Sequence, residues 1–397
     1  MAPRRPEKKS KKSGKGAISR AAAAGDSSDK AVSPQVLVKA AEFQLQAGNV
    51  QDAATLAEKA LENSSPGSDD ALCALNFLGL VNLELGDFDT ARAFLLRAVA
   101  IDQDGAKAES VGGGPEKFLT LAQLSEEGGK DSVHWFEKGA TALRGQIQAL
   151  EDALGKGKGK GNGSGNGKST DEQTIALDEL RKKLAMTLCS VTEVYMTDLS
   201  WEEDAEQRCE ALTTEATMVA PDFAETWQTL ANVRISQSRF DDAKAALSRS
   251  LELWKDLVPE DPAVPDFPSR VALARLLMEV EMEQEAIEVL ERLVGEDDQS
   301  VEVWYLGGWG LYVMGEKQKE QKAEDDWKAS WISSRVWLNQ CLHLYALQDY
   351  EDERLGEHAK ELLAAIAKEL GEAPAGQMED DDGDDWEDDE SDEEMQE

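Results

Sequence analysis

Residues 224–251 read AETWQTLANVRISQSRFDDAKAALSRSL. Trp227, Leu230 and Ala231 fall on one face of a first helix. Ala243, Leu247 and Leu251 recur at four-residue steps on a second, and a polar turn joins the two. The alternation of large and small residues is that of a helical hairpin whose members pack closely, alanines letting the backbones approach beside a large ring. A hairpin of this size cannot bury its apolar face alone, so copies of it must stack on either side.

The spacing resembles the tetratricopeptide repeat (TPR). Trp227 stands at that family's Trp position, Leu230-Ala231 at its Leu-Gly and Ala243 at the second-helix Ala, while Arg234 replaces Tyr and Ser250 replaces Ala. The expected fold is all-α: a TPR-like right-handed α-solenoid, a superhelix of about seven to eight hairpins with disordered tails. Copies are predicted on both sides. Helix one of the first carries Leu37, Ala41 and Leu45, and Gly48-Asn49 makes its turn. The second, Ala71–Ile101, carries Leu78-Gly79, turns at Gly86-Asp87 and continues through Ala91 and Leu95. A weaker third spans Pro115–Leu154. A long helix from about Asp171 to Thr197 pairs with Glu202–Val219. Four prolines in Val258–Pro268 predict an extended connector, followed by a hairpin with Leu273, Ala274, Leu277, Ala286, Leu290 and Leu293. Two more hairpins are predicted beyond it, the last beginning at Trp337, with Glu353–Leu370 as the polar-backed capping helix.

The repeats leave three stretches outside. Residues 1–32 form a basic, disordered tail in which Arg4, Arg5, Lys8, Lys9, Lys11 and Lys12 cluster in the manner read by nuclear import receptors; a solvated tail is the bland alternative. Residues 155–170 (GKGKGKGNGSGNGKST) form a flexible Gly/Lys-rich insertion dividing the array into 33–154 and 171–371. Its Gly167-Lys168-Ser169 resembles the end of a phosphate-binding loop, but Asn162 stands where the first glycine belongs and no strand precedes it, so a surface loop is the reading. Residues 372–397 form an acidic tail; its last twenty residues hold fourteen acids, which like-charge repulsion keeps unfolded.

Composition bounds the chemistry. The 397 residues carry 42 basic and 80 acidic side chains, a net charge of −38. That charge repels phosphate and argues against direct nucleic-acid or anionic-membrane binding, while favouring a basic partner. Cys73, Cys189, Cys209 and Cys341 are scattered, which reads as free thiols rather than a zinc site or disulfide frame. No apolar run is long enough to span a bilayer. The three histidines, His134, His343 and His358, join no catalytic or metal-binding motif, so no enzyme, cofactor or metal is expected.

What remains is a surface. In the TPR register the first helices line a concave groove. That register puts Glu42, Asn76, Glu84 and Glu193 on it, then Glu225, Asn232, Glu279 and Glu302, and finally the aromatics Tyr305, Trp309, Tyr312 and Tyr345. Such a groove suits an extended Lys/Arg-rich segment, with Tyr305, Trp309 and Tyr312 as stacking platforms for arginine. TPR domains that grip acidic chaperone tails carry basic grooves, and this one departs from them.

A basic N-terminal tail, a degenerate TPR array with a Gly/Lys-rich insertion and an acidic C-terminal tail together resemble the fungal chaperones dedicated to assembly of large-subunit ribosomal protein L-four. The resemblance implies a carrier that shields a basic, extended segment of newly made L-four until its incorporation into the pre-ribosome; a monomer with its client, in cytoplasm and nucleus, is the accompanying expectation. A histone-type acidic chaperone and a general TPR scaffold are the alternative readings.

Overall fold

A computed structural model describes residues 32–158, 167–321 and 326–371. Among these residues there are fifteen α-helices, one 3-10 turn and no strand. The basic tail and the acidic tail lie outside the described residues. Two compact units meet in sequence at Glu126 and Glu127.

The first unit holds α1 (Pro34–Gln46), α2 (Val50–Glu62), α3 (Asp69–Glu84), α4 (Phe88–Ile101), a 3-10 turn (Glu109–Val111) and α5 (Glu116–Gln123). Helix α1 packs on α2 and α3 on α4. Ala41, Ala53, Ala57 and Ala60 are fully buried between them, so the helices meet almost backbone to backbone. Gly79 serves the same end: a Cβ there would lie 2.7 Å from Leu95 Cδ2. Ser68 and Asp87 cap α3 and α4, accepting from the amides of Ala71 and Thr90.

Between α4 and α5 the chain folds back over α3. A buried ion pair pins it: Lys117 Nζ donates to Asp102 Oδ2 at 2.7 Å and to the Gly114 carbonyl at 2.7 Å. The Lys107 amide donates to the other Asp102 oxygen. Gly112, at φ +76°, sits so close to α3 that a Cβ would stand 2.8 Å from Cys73 Cα.

The second unit holds α6 (Gly129–Lys158), α7 (Gly167–Met196), α8 (Ala205–Val219), α9 (Ala224–Ser236) and α10 (Phe240–Glu252). It continues with α11 (Phe267–Glu279), α12 (Glu283–Glu296), α13 (Val301–Glu320), α14 (Asp326–Leu347) and α15 (Glu353–Leu370). One apolar core runs from α9 to α13 through Leu247, Leu273, Leu277, Leu290 and Trp254. The two departures from the TPR pattern are accommodated. Ser250 is buried but donates to the Ala224 carbonyl at 3.0 Å, and Arg234 pairs with Glu210 on α8.

Four hairpins turn the same way: a residue with positive φ follows the first helix at Gly48, Gly86, Ser238 and Glu281, and another follows α14 at Asp349. The next amide reaches back to a carbonyl five residues earlier, as Asn49 does to Gln44 and Arg239 to Arg234. A left-handed backbone costs a non-glycine residue about 1–2 kcal/mol. Ser238→Gly is therefore expected to stabilise the second unit by about 1 kcal/mol, read as an upward shift of its tryptophan-monitored urea midpoint.

Four expectations are corrected. The Pro115–Leu154 hairpin is split: α5 packs on α4 in one unit, and α6 pairs with α7 in the other. Helix continues to Lys158 and resumes at Gly167, so most of the glycine insertion's two ends are helical, and 159–166 lie outside the described residues. The proline-rich connector is not extended; it makes successive turns, with Asp261 N bonded to Val258 O and Val264 N to Asp261 O. Pro268 lies inside α11, in the first turn where its missing amide is harmless, under an Asp266 cap. Finally, Trp337 does not open a hairpin. It lies inside α14, which has no glycine or proline to break it.

The α13–α14 pair explains that continuity. Trp337 lies against Gly307, Leu338 against Gly308 and Trp331 against Gly315, each closer than a Cβ would allow. Glycines that individually weaken a helix by about 1 kcal/mol here let tryptophans approach its backbone closely.

Candidate functional site: an acidic and aromatic wall

In the second unit the first helices of successive hairpins touch in order: α7 with α9, α9 with α11, α11 with α13, and α13 with α15. They form one wall, and most of the sequence-predicted groove residues of this unit stand on it.

At the α7–α9 end, Cys189 feels the charges of Glu193 and Glu225. Burial pushes the thiol up to about 11; a hydrogen bond with Thr229 opposes this, and the two carboxylates add to it. Burial likewise raises both carboxyls above the ordinary glutamate range. Glu225 is also raised by Asp266 and lowered by its own backbone amide and by Lys182. Carboxylates desolvated in this way gain most from an arriving cation. Asn232 and Glu279 are exposed farther along α9 and α11. Glu302, in the first turn of α13, pairs with Arg275 of α11.

The aromatic end is built from α13 and α15. Tyr305 stacks on Trp309, with centroids 6.1 Å apart and planes at 29°. The Tyr305 hydroxyl and His358 Nδ1 are 2.7 Å apart, and the imidazole meets Trp309 edge-on at 5.9 Å. Trp309 is 36% exposed, an open ring on a braced support. Tyr312 differs: Trp331 covers its face at 5.1 Å, the planes 3° apart. Beside it lies a cavity of about 430 Å³ lined also by Glu316, Glu320 and Glu369. A resident cation, Lys319, stands 4.8 Å from the Trp327 ring and 5.0 Å from Trp331, and pairs with Glu369.

Two predicted groove residues are placed otherwise. Tyr345 lies on α14, a second helix, packed against Gly356 and Tyr350, where it fills core. Asn76 donates to the Gly112 carbonyl and lies beneath the chain's own 102–115 segment. Glu42 and Glu84 are exposed on α1 and α3 of the first unit. Sequence reasoning missed His358 and Arg275, which join the site from 53 and 27 positions away from their partners, with no local motif to mark them. Trp227 and Trp304 are half-buried props, their indoles donating to the carbonyls of Pro221 and Asp298.

Among the described residues no three His, Cys, Asp or Glu side chains converge on a metal-sized site. No described helix is long and apolar enough to cross a membrane.

Comparison with known proteins agrees with this architecture. The tetratricopeptide repeat family matches residues 33–104. A probable assembly chaperone of rpl4 from Emericella nidulans is 49% identical over 342 residues, covering 84% of this chain and 81% of that protein. A probable assembly chaperone of rpl4 from Schizosaccharomyces pombe is 34% identical over 316 residues, covering 79% and 84%. A solved structure of the assembly chaperone of RpL4 (Acl4), residues 1–338, is 55% identical with a TM-score of 0.67, covering 74% of this chain and all of that one.

Proposed function

This chain belongs to the family of rpl4 assembly chaperones, and from that premise we propose that it holds a basic, extended segment of newly made ribosomal protein L-four against the wall of the second unit. The identity to the Emericella nidulans chaperone along most of both chains carries the reading of client. The wall supplies a physical means. Its carboxylates, raised by burial at Glu193 and Glu225, complement lysine and arginine. The open Trp309 ring offers a face on which a guanidinium stacks.

The two ingredients do different work. Each exposed charge pair contributes only about 0.2–1 kcal/mol, but together with a net charge of −38 they steer a basic chain to the surface. A desolvated aromatic anchor then slows its departure. The chain acts by binding, without catalysis, as a monomer with its client. It travels between cytoplasm and nucleus through recognition of Arg4, Arg5, Lys8, Lys9, Lys11 and Lys12 by an import receptor.

Capture of purified L-four by the full chain, followed by stopped-flow association at rising salt, tests this. Association is expected to slow with salt more than dissociation quickens; a salt-independent rate rules out steering. Reversing Glu279 and Glu302 together to Lys is expected to weaken capture about tenfold, from two lost attractions and two new repulsions, with helical content unchanged. Unchanged affinity would remove the α11–α13 wall from the binding surface.

A further inference from the structure

Arg275 is, with Lys319, a cation of the chain's own on the acidic and aromatic wall. It rises from the middle of α11 with 61% of its side chain exposed and reaches Glu302 on α13, whose side chain is 28% exposed. Tyr305 follows one turn along α13 from that carboxylate, and the Glu302 charge bears on the Tyr350 phenol. The charges of Arg275 and Asp352 bear on the phenols of both Tyr305 and Tyr350. Asp352 is itself fixed, its carboxylate accepting from the amides of Arg354 and Leu355 at the start of α15. Trp309 stacks on the far side of Tyr305. A guanidinium paired with a carboxylate beside aromatic rings marks an arginine seat. The chain fills it with an arginine of its own.

We propose that Arg275 is an internal competitor: it occupies the Glu302 seat in the free protein and gives it up to an arginine of the bound basic segment. This rests on the reading of the wall as a site for a basic chain, and deepens it by naming arginine as the side chain accepted at Glu302. The geometry suits exchange. An ion pair this exposed holds its geometry weakly, whereas a client arginine also brings its stem against Tyr305 and Trp309. Arg275, once displaced, is free to return to solvent. The device sets a threshold: a lone cation does not displace it, while a segment already held at other points of the wall does so through high local concentration.

The test compares the full-length wild type with Arg275→Ala and the near-isosteric Arg275→Gln, using a synthetic peptide of alternating arginine and serine as probe. Both variants are expected to bind it about two- to fivefold more tightly, the factor by which a weak internal pair holds the seat closed. A general gain in negative charge would act equally whether or not Glu302 is present. Glu302→Gln separates the two: it is expected to weaken binding more in the Arg275→Ala background than in wild type, because only there is the carboxylate unoccupied. Equal effects in both backgrounds, or weaker binding by Arg275→Ala and Arg275→Gln, would overturn the competitor role while leaving the wall as the binding surface. Failure of the wild type and both variants to bind either the peptide or L-four would overturn the competitor and the proposed function together.

Discussion

Lys117→Ala is expected to destabilise the first unit by about 3–5 kcal/mol, the range for removing one partner of a buried ion pair. The Lys117 and Asp102 side chains are 1% and 4% exposed. Without the ammonium, Asp102 is a carboxylate in the interior with only the backbone amides of Lys107 and Gly114 to satisfy it, and the Gly114 carbonyl loses a donor. The segment over α3, and with it the docking of α5, depends on that pair. All ten tryptophans of the chain lie beyond Glu126. Unfolding of the first unit therefore registers as loss of far-ultraviolet helical signal without change in tryptophan fluorescence. An unchanged urea profile by circular dichroism would show that water reaches the pair and that the ion pair is dispensable. Asp102→Leu combined with Lys117→Met is expected to recover most of the loss, since apolar replacement of a whole buried pair is often neutral.

The same pair gives a pH dependence with a definite sign. Burial pushes Asp102 up, but the hydrogen bonds from Lys117 and from the Lys107 amide outweigh it and hold the carboxyl below its ordinary value. A depressed carboxylate contributes stability that is fully present above the unfolded value, near 3.9, and is lost as pH falls through the folded one. The wild-type first unit should hold down to about pH 4 and weaken below it. In Lys117→Ala only the Lys107 and Gly114 amides still oppose burial, so Asp102 shifts upward and the acid transition moves to higher pH.

The second large effect concerns binding. Trp309→Ala is expected to weaken L-four capture by about 2 kcal/mol or more, roughly thirtyfold, as for an aromatic hot spot. The ring is stacked on Tyr305 and braced by His358 but faces solvent, so its removal leaves the core of α9–α13 untouched. Its effect belongs in dissociation, since an anchor acts after encounter. The salt-sensitive association rate should not change. Trp304→Ala is the contrast: that indole packs edge-on against Trp337 at 4.8 Å and bonds to Asp298, so its loss should lower stability before affinity. If Trp309→Ala binds L-four as wild type does, the anchor lies elsewhere on the wall.

Much of the fold was legible because a repeat declares itself locally. Gly79 against Leu95, the Gly48 and Gly86 turns and the buried alanines of α1 and α2 are written as short-range patterns. Where one local signal was misleading, a neighbouring cap or a long-range contact had decided the outcome. Four prolines in Val258–Pro268 suggested an extended segment, but the Asp266 cap draws Phe267 and Pro268 into α11. The aromatic run around Trp337 suggested a helix start, but Gly307, Gly308 and Gly315, some 16 to 30 positions earlier, accept α14 as one continuous rod.

The amino-acid sequence by itself determined that this chain is paired helices with a large negative charge, since helical period and charge need only neighbours a turn apart to be read. The tertiary structure alone decided which side chains stand free. Trp309 and Tyr312 are three residues apart on one helix, yet only Trp309 is open, because Trp331 of another helix lies over Tyr312. Glu302 and Glu279 look alike in sequence, yet Glu302 is held by Arg275. A helix of 3.6 residues per turn shows several faces to different neighbours, and only the packed neighbours settle which face is left for a partner.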